Sequence, residues 1–264
     1  MRANRRDISP NCAKIPMTKS VDKAEVERFG DIAEEWWDPK GKFQPLHRIN
    51  PIRLAYIREQ LSTHTSRPQN TIKILAGLTI LDVGCGGGLI SEPLARMGAE
   101  VTGLDPSERN IAVARDHAAT QDLAIEYFTG TTHDLASSSD GGRAFDCVIA
   151  LEVVEHVPDV RLFLQSCADL LKPGGLLVVS TLNRTPQSYA LGIVAAEYVL
   201  GWLPKGTHQW DRFVTTQEMR EHFAAIGLVP VDEKGLSFDP LRYEWRLSED
   251  CRVNYFSTAT KPAA

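Results

Sequence analysis

The sequence contains few cysteines, and their spacing matches no common disulfide or metal-binding pattern. The 264 residues include five cysteines, at positions 12, 85, 147, 167 and 251, and none of them forms a C-x-x-C pair. An odd number of cysteines without paired spacing argues against a disulfide framework and against a zinc ribbon. The sequence therefore favours a reducing compartment.

The sequence also lacks an excess of positive charge and any long apolar run. The net charge is −5, whereas a general nucleic-acid binder needs a basic face, so no nucleic-acid partner is expected. No stretch reaches the roughly 20 apolar residues that span a bilayer. Apolar residues still make up 43% of the chain, enough for the core of one large α/β domain or two small ones.

Basic residues are concentrated in the first twenty positions. Residues 1–20 contain five arginines and lysines against a single acid, Asp7. We predict a disordered basic tail over this stretch, with a short organelle-targeting peptide as the alternative.

From residue 78 onwards, short apolar runs alternate with helical stretches. The runs are TILDVG, AEVTGLD, AIEYFT, FDCVIAL and LLVVSTL, and helices are predicted over about 88–98, 107–121 and 159–171. This alternation predicts parallel strands joined by right-handed crossovers, hence a doubly wound α/β sheet. Two later runs, LVPVDE and NYFSTAT, are expected to add a terminal hairpin at one edge of that sheet.

A glycine-rich loop, LDVGCGGGLI (81–90), joins the first strand to the next helix. Its glycines are spaced Gly84-x-Gly86-x-Gly88, and Leu89 stands where the dinucleotide pattern G-x-G-x-x-G would require glycine. Asp105 ends the second strand, where a carboxylate can accept hydrogen bonds from two ribose hydroxyls. Together with Asp82 these features predict S-adenosylmethionine as the cofactor, because that molecule combines a ribose with positive centres. A tight turn without a ligand is the alternative.

Three ionisable residues follow the fourth strand: Glu152, Glu155 and His156. If the turn is helical, their spacing places all three on one side of it, and Asp159 caps the next helix. Two carboxylates and an imidazole can bind a divalent metal such as Mg²⁺, which would lower the pKa of a bound hydroxyl. Glu155 or His156 could instead act as a general base without metal, or the turn could simply be solvated.

The core stretch 75–182 resembles the class I S-adenosylmethionine-dependent methyltransferases. Longer matches are similar to one family of these enzymes, the ubiquinone-biosynthesis O-methyltransferases. They cover nearly everything after about residue 20, and they are FGDIAEEWWDPKGKFQPLHRINPIRLAYI, LDVGCGGGLISEPLARMGAEVTGLD, EVVEHVPD, LKPGGLLVVSTLNRTPQSYALGIVAAEYVLGWLPKGTHQWDRFV and VNYFSTATKP.

This resemblance implies a Rossmann-like fold with a seven-stranded, mostly parallel sheet whose last strand is inserted antiparallel. It also implies a single methyltransferase domain over 21–264. The parts of that domain are N-terminal helices over 21–70, the cofactor-binding core over 75–182, an apolar insert over 183–214 and C-terminal strands over 215–264.

The resemblance also implies roles for individual residues. The cofactor would be bound by Arg53, Gly84, Asp105 and Leu151, with the Arg53 guanidinium on the methionine carboxylate. In eukaryotic members a divalent metal would lie on the residues matching Glu152, Glu155 and His156, which we take as the catalytic residues. The expected substrates are polyprenylated catechols and the demethylated ubiquinol. Without the resemblance, Arg53 would be interpreted as an exposed helix residue.

The insert contains a nearly uncharged stretch, residues 187–203, with Glu197 as its one charge. We predict that it forms a lid that also contacts the membrane, because a polyprenyl substrate resides in the bilayer. A buried helix is the alternative. The expected partners are therefore the membrane surface and other enzymes of ubiquinone synthesis. The expected location is the cytoplasm, peripheral to the inner membrane, in a bacterium, or the matrix side in a mitochondrion.

Two other functions stay open on the sequence alone. One is methylation of a different, soluble catechol or phenol, which would not require the apolar insert. The other is a non-catalytic lipid-binding subunit of a quinone-synthesis complex, against which the glycine loop and Asp105 argue.

Overall fold

The computed structural model describes residues 23–67, 71–137, 143–190, 209–239 and 244–263. The predicted basic tail and most of the predicted membrane-contacting insert, residues 191–208, lie outside these ranges. Within the described residues, no helix is both long and apolar enough to cross a bilayer.

Eight strands form one sheet, in the order β3-β2-β1-β4-β5-β8-β6-β7. The first five pair in parallel, and β8 lies antiparallel between β5 and β6. The strands are β1 (Thr79–Val83), β2 (Glu100–Asp105), β3 (Glu126–Thr129), β4 (Phe145–Leu151), β5 (Leu171–Leu182), β6 (Val229–Asp239), β7 (Glu244–Ser248) and β8 (Asn254–Thr260).

The predicted doubly wound sheet and its antiparallel last strand are confirmed, with two corrections. The sheet has eight strands instead of seven, because β7 pairs with the second half of the long strand β6, from Gly235 to Asp239. The run NYFSTAT forms β8 inside the sheet and not an edge hairpin, since it hydrogen-bonds to both β5 and β6.

Helices cover both faces of the sheet. They are α1 (Lys23–Gly30), α2 (Gln44–His64), α3 (Ser91–Arg96), α4 (Glu108–Thr120), α5 (Thr132–Ser137), α6 (Val160–Asp169), α7 (Pro186–Ser188) and α8 (Thr216–Ala225), with short 3₁₀ turns at Ala33–Glu35, Val154–His156 and Trp210–Arg212. Alternate residues of β4 explain the two layers: Val148 belongs to the core beneath α6 and α8, and Ile149 to the core beneath α2 and α3. Burial on both faces is what parallel sheets require.

Helix α2 is fixed against the last strands of the sheet by Tyr56. The ring of Tyr56 stacks on Phe256 of β8 with centroids 4.2 Å apart, and its hydroxyl donates to Asp232 of β6 over 2.9 Å. Arg53 lies one helical turn before Tyr56 and is therefore also turned towards the sheet. This docking carries Arg53 into the interior, where it is 5% exposed.

Candidate active site

Three of the predicted cofactor residues meet at the carboxyl edge of the sheet. Val83 at the end of β1 pairs with Leu104 of β2 on one side and with Ala150 of β4 on the other. The residues that follow these positions, Gly84, Asp105 and Leu151, therefore stand side by side on adjacent strands. The Gly84 N–H donates to the Leu104 carbonyl over 2.8 Å, which extends the pairing of β1 with β2 by one residue.

The glycine loop has a backbone that only glycine adopts readily. Gly84 has φ +71°, Gly86 +53° and Gly88 +89°, all in the left-handed region. A β-carbon at Gly84 would lie 2.6 Å from a methyl group of Val153, and one at Gly86 would collide with the ring of Trp36. Gly86 is buried beneath this ring, whereas Gly84 is exposed, so its backbone at the strand edge is open to the close approach of an adenosyl group.

Asp105 is held in one orientation by three donors. Its Oδ1 accepts from the Ser107 N–H at 2.9 Å and from Asn110 Nδ2 at 3.1 Å, and its Oδ2 accepts from the Gly86 N–H at 3.0 Å. Burial raises the pKa of Asp105, while the hydrogen bonds oppose that shift. A fixed carboxylate next to the glycine loop fits the predicted contact with ribose hydroxyls.

Asp82 is buried in β1, below the glycine loop, and its carboxylate bonds to another side chain of the protein. Its Oδ2 accepts a 2.6 Å hydrogen bond from Ser91 at the start of α3, which ties β1 to that helix. Burial raises the pKa of Asp82 to about 7.

The turn after β4 is not the single helical turn that the spacing predicts. Glu152 has φ +54° and precedes the 3₁₀ turn that holds Glu155 and His156. Glu152 Oε1 instead accepts from Ser180 Oγ at 2.7 Å and from Asn254 Nδ2 at 3.1 Å, and it lies 3.2 Å from Arg53 Nη2. The Glu152 carboxylate therefore lies against β5, through Ser180, and against β8, through Asn254.

Glu155 is buried beside this group. Thr181 Oγ1 donates to Glu155 Oε2 over 2.8 Å, whereas the buried Glu155 Oε1 has no hydrogen-bond partner among the described residues. Burial, together with the charge of Glu152, raises the pKa of Glu155 to about 7. His156 is only half-buried. The turn therefore places one buried, incompletely bonded carboxylate oxygen next to the strand edge.

Arg53 contributes a buried cation to the same site. Burial lowers the pKa of Arg53, and the carboxylates of Glu152 and Glu155 oppose that shift. Its Nε is buried and has no partner in the described part of the chain. An unpaired guanidinium N–H in the interior requires an acceptor, which fits the predicted contact with the methionine carboxylate of the cofactor.

The residues predicted to bind a metal are not arranged as a metal site. Glu152 Oε1 already accepts three hydrogen-bonding or ionic contacts, one of them from the Arg53 cation. Across the described ranges, no three His, Cys, Asp or Glu side chains stand together as metal ligands. The geometry therefore does not fit the predicted Mg²⁺ site on Glu152, Glu155 and His156.

Comparison with known proteins places this site in a family. Residues 81–179 match the family model described as a methyltransferase domain. The ubiquinone biosynthesis O-methyltransferase of Azorhizobium caulinodans is 51% identical over 250 residues, which cover 95% of this chain and 97% of that protein. The enzyme of the same name from Rhodopseudomonas palustris is 50% identical over 244 residues, covering 92% and 95%.

The chain belongs to the ubiquinone biosynthesis O-methyltransferase family. As a member of the ubiquinone biosynthesis O-methyltransferases it is an S-adenosylmethionine-dependent enzyme, as predicted from the glycine loop. The crystal structure of magnesium protoporphyrin IX methyltransferase from Synechocystis with bound S-adenosylhomocysteine shares its fold, with a TM-score of 0.58 at 21% identity over 90% of this chain and 93% of that one.

Several residues of the site were not predicted from the sequence. Ser180 and Thr181 are the two polar residues near the end of the run LLVVSTL, and Asn254 begins NYFSTAT. Buried hydroxyl and amide groups at the ends of apolar strands were the available signal. Their partners lie on other strands, and pairing over such distances in sequence has no local pattern.

Proposed function

We propose that this enzyme methylates hydroxyl groups of polyprenylated catechols and of demethylubiquinol during ubiquinone synthesis. The observation that carries the O-methylation is the buried Glu155 carboxylate, whose Oε1 lacks a partner in the described residues beside the carboxyl edge of the sheet. The relatives' shared name supports the substrate class, because it assigns those proteins to ubiquinone biosynthesis.

The glycine loop and its neighbours bind and orient the cofactor in this proposal. S-adenosylmethionine supplies an electrophilic methyl group on a sulfonium. Gly84 and Leu151 offer backbone and apolar contact to the nucleoside, Asp105 accepts from the ribose hydroxyls, and Arg53 donates to the methionine carboxylate. Holding donor and acceptor in line provides much of the rate enhancement.

Glu155 takes the proton of the acceptor hydroxyl. A free phenol titrates near a pKa of about 10, so the hydroxyl becomes a good nucleophile only when its proton is removed. The bond from Thr181 to Oε2 orients the Glu155 carboxylate, which leaves Oε1 for the substrate. Its pKa of about 7 lets it hold a proton transiently near neutral pH.

A methyl-transfer assay with a short-chain prenyl catechol tests this assignment. Glu155→Gln should lower kcat by about 100-fold or more, in the range of general-base catalysis, and leave calorimetric binding of S-adenosylhomocysteine unchanged. Glu221→Gln, on the exposed face of α8, is the matched control and should have normal kcat. Normal turnover of the Glu155 variant would refute its role as proton acceptor.

The same assay separates the proton acceptor from a metal. Enzyme stripped of metal and assayed in chelator should keep its turnover if Glu155 accepts the proton. Loss of turnover that Mg²⁺ restores would instead support the predicted metal. No step proposed here passes through a metal, because the side chains do not fit one.

In this proposal the substrate is located at a membrane surface, and the enzyme binds that surface. Tyr189 and Trp210 flank the undescribed stretch 191–208, and both are more than one-third exposed. Their rings meet edge to face with centroids 6.3 Å apart, an amphipathic pair of the kind found at lipid–water interfaces. Sedimentation with anionic vesicles should therefore pull down the enzyme. Unchanged sedimentation after replacement of both rings by serine would contradict this surface.

A further inference from the structure

Two tryptophans of the N-terminal segment lie on the glycine loop. Trp36 is almost fully buried, stacks on Phe43 with ring centroids 3.7 Å apart, and fills the space in which a side chain at Gly86 or Gly87 would stand. Trp37 Nε1 donates to the Gly87 carbonyl over 2.9 Å. The N-terminal segment therefore packs directly against the glycine loop.

A chain of hydrogen bonds connects Trp36 with the carboxylate of Asp105. Trp36 Nε1 donates to Asn110 Oδ1 over 2.9 Å, and Asn110 Nδ2 donates to Asp105 Oδ1 over 3.1 Å. All three side chains are buried. This link joins the segment before α2 to the carboxyl end of β2 through the first turn of α4.

Trp36 fixes which end of the Asn110 amide faces it. An indole N–H can only donate, so the amide end of Asn110 that faces it must be the carbonyl oxygen. The NH₂ end of Asn110 then faces Asp105. Without the indole N–H, Asn110 Oδ1 would lose its donor, and the amide would be held only by its bond to the carboxylate and no longer from both ends.

We propose that Trp36 and Asn110 are positioning residues for the cofactor ribose. They hold the Asp105 carboxylate in the orientation in which it accepts hydrogen bonds from the ribose hydroxyls. The inference rests on the ribose contact of Asp105 under the proposed function, and it adds the N-terminal segment to the groups that set cofactor affinity. Neither residue needs to contact the cofactor for this role.

Calorimetry with S-adenosylhomocysteine and its 2′-deoxy and 3′-deoxy analogues tests the proposal on the full chain. Trp36→Phe keeps the stacked ring and removes the donor. It should weaken binding of S-adenosylhomocysteine about fivefold, the size of one hydrogen bond, and weaken binding of the deoxy analogues much less. The variant should therefore discriminate poorly between ribose and deoxyribose. A general loss of packing would weaken all three ligands equally and would overturn the proposal.

A double-mutant cycle tests whether Trp36 acts through Asn110. Asn110→Ala alone should weaken binding at least as much as Trp36→Phe, and the double variant should bind within twofold of Asn110→Ala. Additive losses would refute the link between the two residues. Trp245→Phe, which changes a tryptophan of β7 packed on Phe238, is the control and should leave all three affinities unchanged.

Asp105→Asn distinguishes failure of this inference from failure of the proposed function. If Asp105→Asn keeps normal discrimination between ribose and deoxyribose, the ribose contact itself is wrong. If Asp105→Asn loses discrimination while Trp36→Phe retains it, only the positioning role is refuted.

Discussion

Replacing Arg53 with methionine should destabilise the fold strongly, because the change leaves the Glu152 carboxylate without its cation. The Arg53 side chain is 6% exposed and its Nη2 lies 3.2 Å from Glu152 Oε1. Removing one partner of a buried ion pair costs about 3–5 kcal/mol, since the other charge stays buried and unpaired. The Glu152 side chain is 20% exposed, and Ser180 and Asn254 still donate to it in the variant, so we expect the lower end, about 3 kcal/mol.

Urea denaturation followed by circular dichroism measures this loss. With a slope of about 3 kcal/mol/M, a loss of that size moves the midpoint by about 1 M. The double variant Arg53→Met/Glu152→Gln should cost about 2 kcal/mol less than the sum of the single variants, because it removes both charges of the pair. Arg109→Met is the matched control: Arg109 lies 2.7 Å from Asp31, but both side chains are largely exposed, so the expected loss is under about 1 kcal/mol. Equal losses at Arg53 and Arg109, or additive losses in the double variant, would refute the reasoning.

Three further outcomes are expected from denaturation. Gly77→Ala should lower the free energy of unfolding by about 1–2 kcal/mol, because Gly77 has φ +73°. Gly84→Ala should lower it clearly more, since of these two positions only Gly84 would bring the β-carbon against a side chain. Gly84→Ala should also weaken cofactor binding measured by calorimetry. Burial raises the pKa of Asp82 from 3.8 to about 7, so the folded protein binds this proton more tightly than the unfolded chain does. The bound proton therefore stabilises the fold fully below about pH 4, and this stabilisation is lost as the pH rises through about 7. Asp82→Asn should remove that slope, about 4 kcal/mol between the two limits, in curves recorded across this range. Asp159→Ala removes the acceptor for the Leu162 N–H at the start of α6 and should cost about 1 kcal/mol with unchanged cofactor affinity.

Much of the fold could be predicted because the parallel part of the sheet is encoded locally. Each of the five apolar runs after residue 78 became a strand, and α4 and α6 begin within a residue of the predicted helices over 107–121 and 159–171. Strand β7 was missed for a physical reason. Its residues, Glu244–Ser248, alternate polar and apolar side chains, but the run is only five residues long and at most half-buried, so it lacks the β-branched apolar run that marks the parallel strands.

From local pattern alone, the candidate site could be predicted only where it follows from strand ends, whereas Arg53 on α2 was expected only from the family resemblance. Parallel strands bring their carboxyl ends to one edge, so the sequence alone predicts that Gly84, Asp105 and Leu151 meet there. The partners of Glu152 could not, because Asn254 lies 102 residues further along the chain and reaches the site through the inserted strand β8. Such pairings depend on the order of strands and not on local spacing.

The spacing of Glu152, Glu155 and His156 predicted a helical turn, which is wrong, and the cause bears on function. Three residues at i, i+3 and i+4 share one side only if the backbone is helical from the first of them, and Glu152 is left-handed at φ +54°. A non-glycine residue in that conformation costs roughly 1–3 kcal/mol and persists only where its surroundings over-determine it. Here the surroundings are an arginine, a serine and an asparagine that converge on one carboxylate oxygen. One of these contacts is the ion pair with Arg53, which links the backbone of this turn to the residue proposed to bind the cofactor carboxylate.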